Sequence, residues 1–352
     1  MAKRIQWIDF TRGIAILAVI IGHTLGPYTG QFFGSFIFAF HMPIFFILSG
    51  YLYHQRPIGK EFKHSAVNLL VPYATTATVI LVINYLALKL PHNAVINPYF
   101  TSTKQGILAV IYGAGSEVFN PWGWRVAPIG AIWFLLSMFI ALQFFNGLLV
   151  MTQRFKSAKA IQIGIILGLA VMGGVLGRLA YLPWAFNAAL LSQVFLYAGY
   201  LIRQTNFLER VENAWYLVFI FAWLVSAFQG YFALTVPVSP NLVISVLGGI
   251  GASLAIIKGC IWLDRFQGRP SLNLLARYGR LSLIVLCFHL IDLDVIGIAG
   301  WLFNQTSPIL GNWLATAITI LYRIGFVTFW MVVIPKIPIV RVGFFPRKYF
   351  LK

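Results

Sequence analysis

An all-α protein that crosses a membrane about ten times is predicted by three features of this sequence. Of its 352 residues, 60% are hydrophobic and only 10% are charged, whereas soluble domains are nearer half apolar and a quarter charged. The apolar residues gather in runs of about 20, the length a helix needs to span a bilayer. Basic residues crowd into alternate connections between those runs, as they do in loops on the cytoplasmic side of membranes.

The runs in order are 7–27, 32–53, 66–89, 129–151, 160–177, 185–202, 214–232, 241–263, 281–303 and 310–335. The first holds Asp9, Arg12 and His23. It lacks the clean apolar centre and small-residue exit site of a cleavable signal, so it reads as a retained helix. The fifth and sixth are short and interrupted by glycine. The longest connection, from about Leu90 to Pro128, contains Pro91, Pro98, Pro121 and the pair Trp122 and Trp124. Paired tryptophans there mark the membrane surface. Gly106–Tyr112 within it is apolar but too short to span. Gly248, Gly249, Gly251 and Ala252 form a small-residue patch suited to close helix packing. Cys260 and Cys287 sit in apolar runs as packing residues. With no repeat and no appended soluble segment, the whole chain, 1–352, reads as one integral membrane domain.

Placing both termini in the cytoplasm puts 19 of the 26 basic residues on the inner connections: Lys3, Arg4; Arg56, Lys60, Lys63; Arg154, Lys156, Lys159; Arg203, Arg210; Arg265, Arg269, Arg277, Arg280; and Lys336, Arg341, Arg347, Lys348, Lys352. Only Lys89, Lys104, Arg125 and Arg178 fall outside. The formal charge of +18 is thus an orientation signal that also meets anionic lipid or an anionic ligand. Nucleic acid is not expected, because neither a binding motif nor a compact basic domain accompanies the charge.

Titratable side chains at membrane depth are costly and usually face a site, a passage or a partner. The candidates are Asp9, Arg12, His23, His41, Lys258, His289, Asp292, Asp294 and Arg323. Lys258 lies near a helix end, where it snorkels. Asp294 and Arg323 suit a structural pair. Eleven helical residues return to nearly the same face, so Arg12 and His23 share a stripe, roughly 16 Å apart along the axis. Asp9, one turn before Arg12, is placed to pair with it. Pro43 should kink the second span beside His41. His41 has no titratable neighbour one turn before it, so its role turns on whether it meets His23. Asp292, three residues after His289, is spaced to orient that imidazole. No metal site is expected from these scattered histidines.

Ile8-Asp9-Phe10-Thr11-Arg12-Gly13-Ile14-Ala15, followed by Gly22-His23, resembles the opening of the membrane-bound acyltransferase 3 family, whose hallmark is a basic residue, ten residues, then histidine. Phe40-His41-Met42-Pro43 through Ser49-Gly50-Tyr51 resembles its second-helix motif. Leu69-Leu70-Val71-Pro72-Tyr73, Trp133-Phe134-Leu135 and Tyr278-Gly279-Arg280-Leu281-Ser282 leading to His289 resemble later landmarks. The resemblance implies the single-domain type, without a C-terminal SGNH hydrolase-like domain. It also implies an O-acetyltransferase of the bacterial cytoplasmic (inner) membrane, moving acetyl from acetyl-CoA to a polysaccharide, glycolipid or related sugar.

On that reading His23 is the general base, Arg12 anchors the donor, and His41 orients His23 or stabilises the oxyanion; an acetyl-His relay is the variant. Asp9, His289 and Asp292 support them. Arg56, Lys63, Arg277 and Arg280 join Arg12 as candidates for the donor's phosphates. The competing reading is a secondary transporter or flippase with a proton relay of His, Asp and Arg, although no inverted repeat is visible.

Overall fold

Within a bilayer every backbone N–H and C=O must find its partner inside the protein, so continuous apolar stretches become helices. The computed structural model describes residues 5–91, 95–116, 118–119, 125–266 and 268–351. The expected surface stretch Trp122-Gly123-Trp124 and the terminal cations Lys3, Arg4 and Lys352 lie outside the described residues. In chain order the helices are α1 (Gln6–Thr24), α2 (Phe32–Phe38), α3 (Pro43–Tyr51), α4 (Ile58–Ser65), α5 (Val71–Lys89), α6 (Thr103–Tyr112), α7 (Trp133–Thr152), α8 (Ala158–Leu179) and α9 (Phe186–Leu191). Then come α10 (Gln193–Gln204), α11 (Phe207–Arg210), α12 (Trp215–Gln229), α13 (Leu242–Leu263), α14 (Pro270–Arg280), α15 (Ser282–Asp294), α16 (Ile298–Val333), α17 (Pro338–Phe344) and α18 (Arg347–Phe350).

Seven stretches among the described residues are long and apolar enough to cross a membrane: Gln6–Thr24, Phe32–Tyr51, Ile58–Lys89, Gly130–Thr152, Ala158–Leu179, Leu242–Phe266 and Ile298–Lys336. Two bent pairs, Pro183–Leu191 with Gln193–Gln204 (47°) and Pro270–Arg280 with Ser282–Asp294 (76°), bring the number to nine if each is one span. The expected seventh span is the 15-residue α12, shorter than the ~20 residues a full crossing takes. The protein is an all-α polytopic membrane protein, and ten crossings require both bent pairs and α12 to cross.

The expected ninth span, 281–303, is the main revision. Its helix stops at Asp294 because the next residues pair with an extended segment: Asn97 N–H donates to the Val295 carbonyl (3.1 Å) and Gly297 N–H to the Val95 carbonyl (3.0 Å). α16 then starts at Ile298 and is interrupted at Gly311, whose φ of 78° leaves the helical region. Pro308, one turn earlier, removes a helical hydrogen bond. The expected tenth span therefore begins at a break rather than at a loop. Between α4 and α5, residues Ala66–Leu70 form a π-helical segment that widens the turn just before Pro72, which has no N–H to donate.

The chain divides into two compact units, one of residues 1–56, 144–175 and 190–282, the other of residues 57–143, 176–189 and 283–352. In the first, glycines let helices approach to backbone distance. A Cβ at Gly50 of α3 would lie 1.9 Å from the Leu196 carbonyl of α10, and one at Gly199 of α10 would lie 1.9 Å from the Ile47 carbonyl of α3. α14 meets α1 in the same way, through Gly279 against the Asp9 carbonyl and Gly13 against the Leu275 carbonyl. The predicted patch on α13 serves this purpose too, with Gly248 against Ser226 and Gly251 against Phe219. In the second unit the C-terminal end of α6 is held by side chains. Tyr73 Oη donates to the Val110 carbonyl (2.6 Å), Trp184 Nε1 to the Ile111 carbonyl (3.0 Å), and Tyr112 Oη to the Tyr181 carbonyl. Burial, with Tyr181 beside it, pushes the Tyr112 phenol up to about 12, so it remains a donor. Cys260 and Cys287 are buried free thiols.

Because backbone atoms cannot yield, Gly50→Leu or Gly199→Leu should lower stability by about 3 kcal/mol. Gly147→Ala, where the added methyl meets nothing within 4 Å, should change it little. Unfolding curves of the purified variants in detergent check the contrast.

Candidate active site

The first unit carries Asp9, Arg12, His23, His41, Arg56, Arg277 and Arg280 of the predicted site residues. α1 runs unbroken over 19 residues, so Arg12 and His23 keep the shared face read from the sequence. Arg12 is half-buried near the start, and His23 is half-buried in the last turn. Asp9 is buried, its Oδ2 3.9 Å from Nη1 of Arg280. That contact follows from the close packing at Gly279, one residue before Arg280, and it brings the C-terminal turn of α14 to the first turn of α1. Arg277 is half-buried in the same turn.

His41 sits where the second span breaks, in the turn between α2 and α3. Pro43 heads α3 and cannot donate to the Ala39 carbonyl. The structure accommodates that exposed carbonyl against Gly249 of α13, where a Cβ would come within 2.9 Å of the Ala39 oxygen. The helix is interrupted between Phe38 and Pro43, and His41 is fully packed there.

The break carries His41 to His23. Their ring centroids are 6.1 Å apart and nearly perpendicular. Phe38 lies against both, 5.8 Å from His23 and 4.4 Å from His41, and Tyr231 packs on Phe38 at 4.5 Å. Each imidazole is anchored by the carbonyl one turn behind it: Nδ1 of His23 is 3.0 Å from the Val19 oxygen, and Nδ1 of His41 is 3.2 Å from the Ile37 oxygen. A carbonyl only accepts, so Nδ1 carries the proton in both rings and Nε2 carries the lone pair. Phe38 and Tyr231 were not among the expected residues. Their aromatic character is shared with dozens of others in the chain, so nothing in the sequence singles them out.

The remaining candidates are spread more widely. The Arg56 backbone N–H donates to Asn146 Oδ1 (3.3 Å), which also accepts from Tyr53 Oη. Lys63 is exposed in the last turn of α4. Lys258, expected to snorkel, places its ammonium 5.0 Å over the Tyr216 ring. In the second unit, His289 and Asp292 are both fully buried on α15. Asp292 accepts from Tyr322 Oη (2.9 Å) and its Oδ2 lies 3.2 Å from Arg323 Nε. The expected structural pair was Asp294 with Arg323; the close ion pair is with Asp292, while the Asp294 carboxylate also acts on the guanidinium through its charge. Asp294, at the helix end, lies against the Gly130 backbone as well, where a Cβ would be 2.5 Å from its Oδ2. Tyr322 was also unforeseen, although its position beside Arg323 was a usable signal. Among the described residues no group of three or more His, Cys, Asp or Glu side chains is placed to hold a metal ion.

The Arg12–His23 pair at eleven residues, the His41-Met42-Pro43 break and the contact between their imidazoles lie within a match to the model of the acyltransferase 3 family, described as an acyltransferase domain, over residues 5–333. The chain belongs to the acyltransferase 3 family. This membrane acyltransferase has no match among curated proteins or solved structures. Membership supports a membrane acyltransferase over the transporter reading.

The Asp292–Arg323 bond gives this acyltransferase a buried ion pair whose disruption leaves one uncompensated charge. Arg323→Leu alone should cost about 3–5 kcal/mol, while replacing both partners with leucine should recover much of the loss. Thermal unfolding of the single and double variants measures the difference.

Proposed function

We propose that this acyltransferase moves an acetyl group from acetyl-CoA, bound from the cytoplasm, to a hydroxyl of a cell-surface polysaccharide, glycolipid or related sugar, as one membrane domain of the bacterial inner membrane with both termini inside. The observation that carries the proposal is the paired imidazoles at the far end of the helix that bears Arg12.

The chemistry required is deprotonation of a weak nucleophile beside a thioester. His23 Nε2 accepts the proton of the acceptor hydroxyl as the oxygen attacks the thioester carbonyl. The C–S bond then breaks, and the departing thiolate takes the proton from His23, regenerating neutral imidazole and free CoA. Three features support His23 as this base. Its Nδ1–H is directed at the Val19 carbonyl, which fixes the tautomer. It lies in the last turn of α1, where the helix dipole favours the transient imidazolium. It also keeps part of its surface open, unlike His41.

His41 is the positioning partner of His23. Its single proton in the neutral form is directed at Ile37, so neutral His41 has no N–H for an oxyanion. Packed at right angles to His23, it holds that ring in place. Arg12, roughly 16 Å below His23 on the same face, suits the phosphates of a donor whose thin arm extends toward the imidazole. Arg277 and Arg280 adjoin that end through α14, with Asp9 fixing Arg280. Arg56 and Lys63 are further candidates for the nucleotide, and His289 and Asp292 are further supporting candidates.

His23→Ala should reduce transfer by about 10²- to 10⁴-fold while the protein stays inserted and folded. Arg12→Ala should chiefly raise KM for acetyl-CoA. Transfer of labelled acetyl by purified protein to glycan from cells lacking it measures both; a His23→Ala variant with normal transfer contradicts the assignment.

A further inference from the structure

Beside α11, in the first unit, a groove of about 480 Å³ is lined by Phe207, Arg210, Val211, Glu212, Trp215 and Phe219. It takes no part in the acyl-transfer reading and does not depend on it. Its walls combine three aromatic rings with one cation and one anion. The Phe207 and Phe219 rings lie 6.2 Å apart, tilted by 44°, and Trp215 is more than half exposed. Among the described residues, neither Arg210 nor Glu212 is engaged in an ion pair, so two opposite charges stand open at one groove.

Its position identifies the neighbouring medium. α12 starts at Trp215, and the residues that follow on its outer face, Leu217, Val218 and Phe221, are 50–71% exposed. In a membrane protein such a face meets acyl chains. The groove therefore lies at the level where the hydrocarbon ends and headgroups begin, the usual place for an amphipathic tryptophan.

We infer that the groove binds the headgroup of a zwitterionic aminophospholipid, a phosphoethanolamine on two acyl chains. Arg210 supplies charge-assisted hydrogen bonds to the phosphate. The ammonium lies among the rings of Phe207, Trp215 and Phe219, whose faces attract cations, with Glu212 as its carboxylate partner. The tails run along Leu217, Val218 and Phe221. An anionic lipid satisfies Arg210 but sets no cation before Glu212 and the rings, so the site discriminates by the amine.

The test uses the full chain in vesicles containing a phosphatidylethanolamine with a photoreactive group near the glycerol end of one acyl chain, and maps labelled peptides by mass spectrometry. Labelling is expected within residues 207–221. Excess unlabelled phosphatidylethanolamine should suppress it, whereas equal phosphatidylglycerol should not. Glu212→Gln and Trp215→Leu should each reduce it by about tenfold, the scale of one charged contact. Absence of labelling there, or equal suppression by both lipids, overturns the inference. The competition uses only the wild-type chain, so it decides the matter even if a variant fails to fold.

Discussion

Each of two imidazoles in apolar surroundings has its Nδ1 turned to the carbonyl one turn behind it, and most of the candidate chemistry follows from that anchoring. A neutral histidine has one proton. Committing it to the helix backbone fixes the tautomer, aims Nε2 away from the helix and removes a polar group that the membrane interior would otherwise penalise. The surrounding fold serves this arrangement. Pro43 breaks the second span so that His41 faces α1, Gly249 makes room for the carbonyl that the break exposes, and Phe38 fills the angle between the rings.

The other end of α1 is governed by close approach. Gly13 and Gly279 bring α14 onto α1 at backbone distance, which is why Arg280, far along the chain, lies beside Asp9. Helices in membranes gain little from hydrophobic association, because lipid tails are as apolar as leucine. Contact between small residues is therefore what positions charged groups here, and the same device joins α3 to α10 and α12 to α13. The basic end and the imidazole end of one rigid helix are separated by a distance that a phosphate-bearing donor with a long arm can bridge.

Much of this was legible in the sequence. Hydropathy alone located α1, α7, α8 and α13, because each coincides with one predominantly apolar run of roughly spanning length. The eleven-residue spacing placed Arg12 and His23 on one face, and Pro43 marked the break beside His41. Features that depend on distant chain segments were not legible. The end of α15 at Asp294 arises from pairing with residues 95–97, to which an apolar run extending to residue 303 gives no clue. The close approach of Asp292 to Arg323 joins two helices, which spacing along the chain does not reveal. Phe38 and Tyr231 became visible only when the rings were placed. Short helices such as α12 blur the count of crossings, because composition cannot say where a bilayer ends.

Acyl transfer at the imidazole pair requires the donor to lie along α1 with its reactive carbon there. An electron cryo-microscopy structure of the protein with a non-hydrolysable acetyl-CoA analogue tests that arrangement directly. The phosphates are expected among Arg12, Arg277 and Arg280 and the acyl carbonyl beside His23 Nε2, within the span of one acceptor oxygen. Density for the analogue away from α1, or an acyl group reaching some other part of the protein with His23 sealed behind side chains, would contradict it.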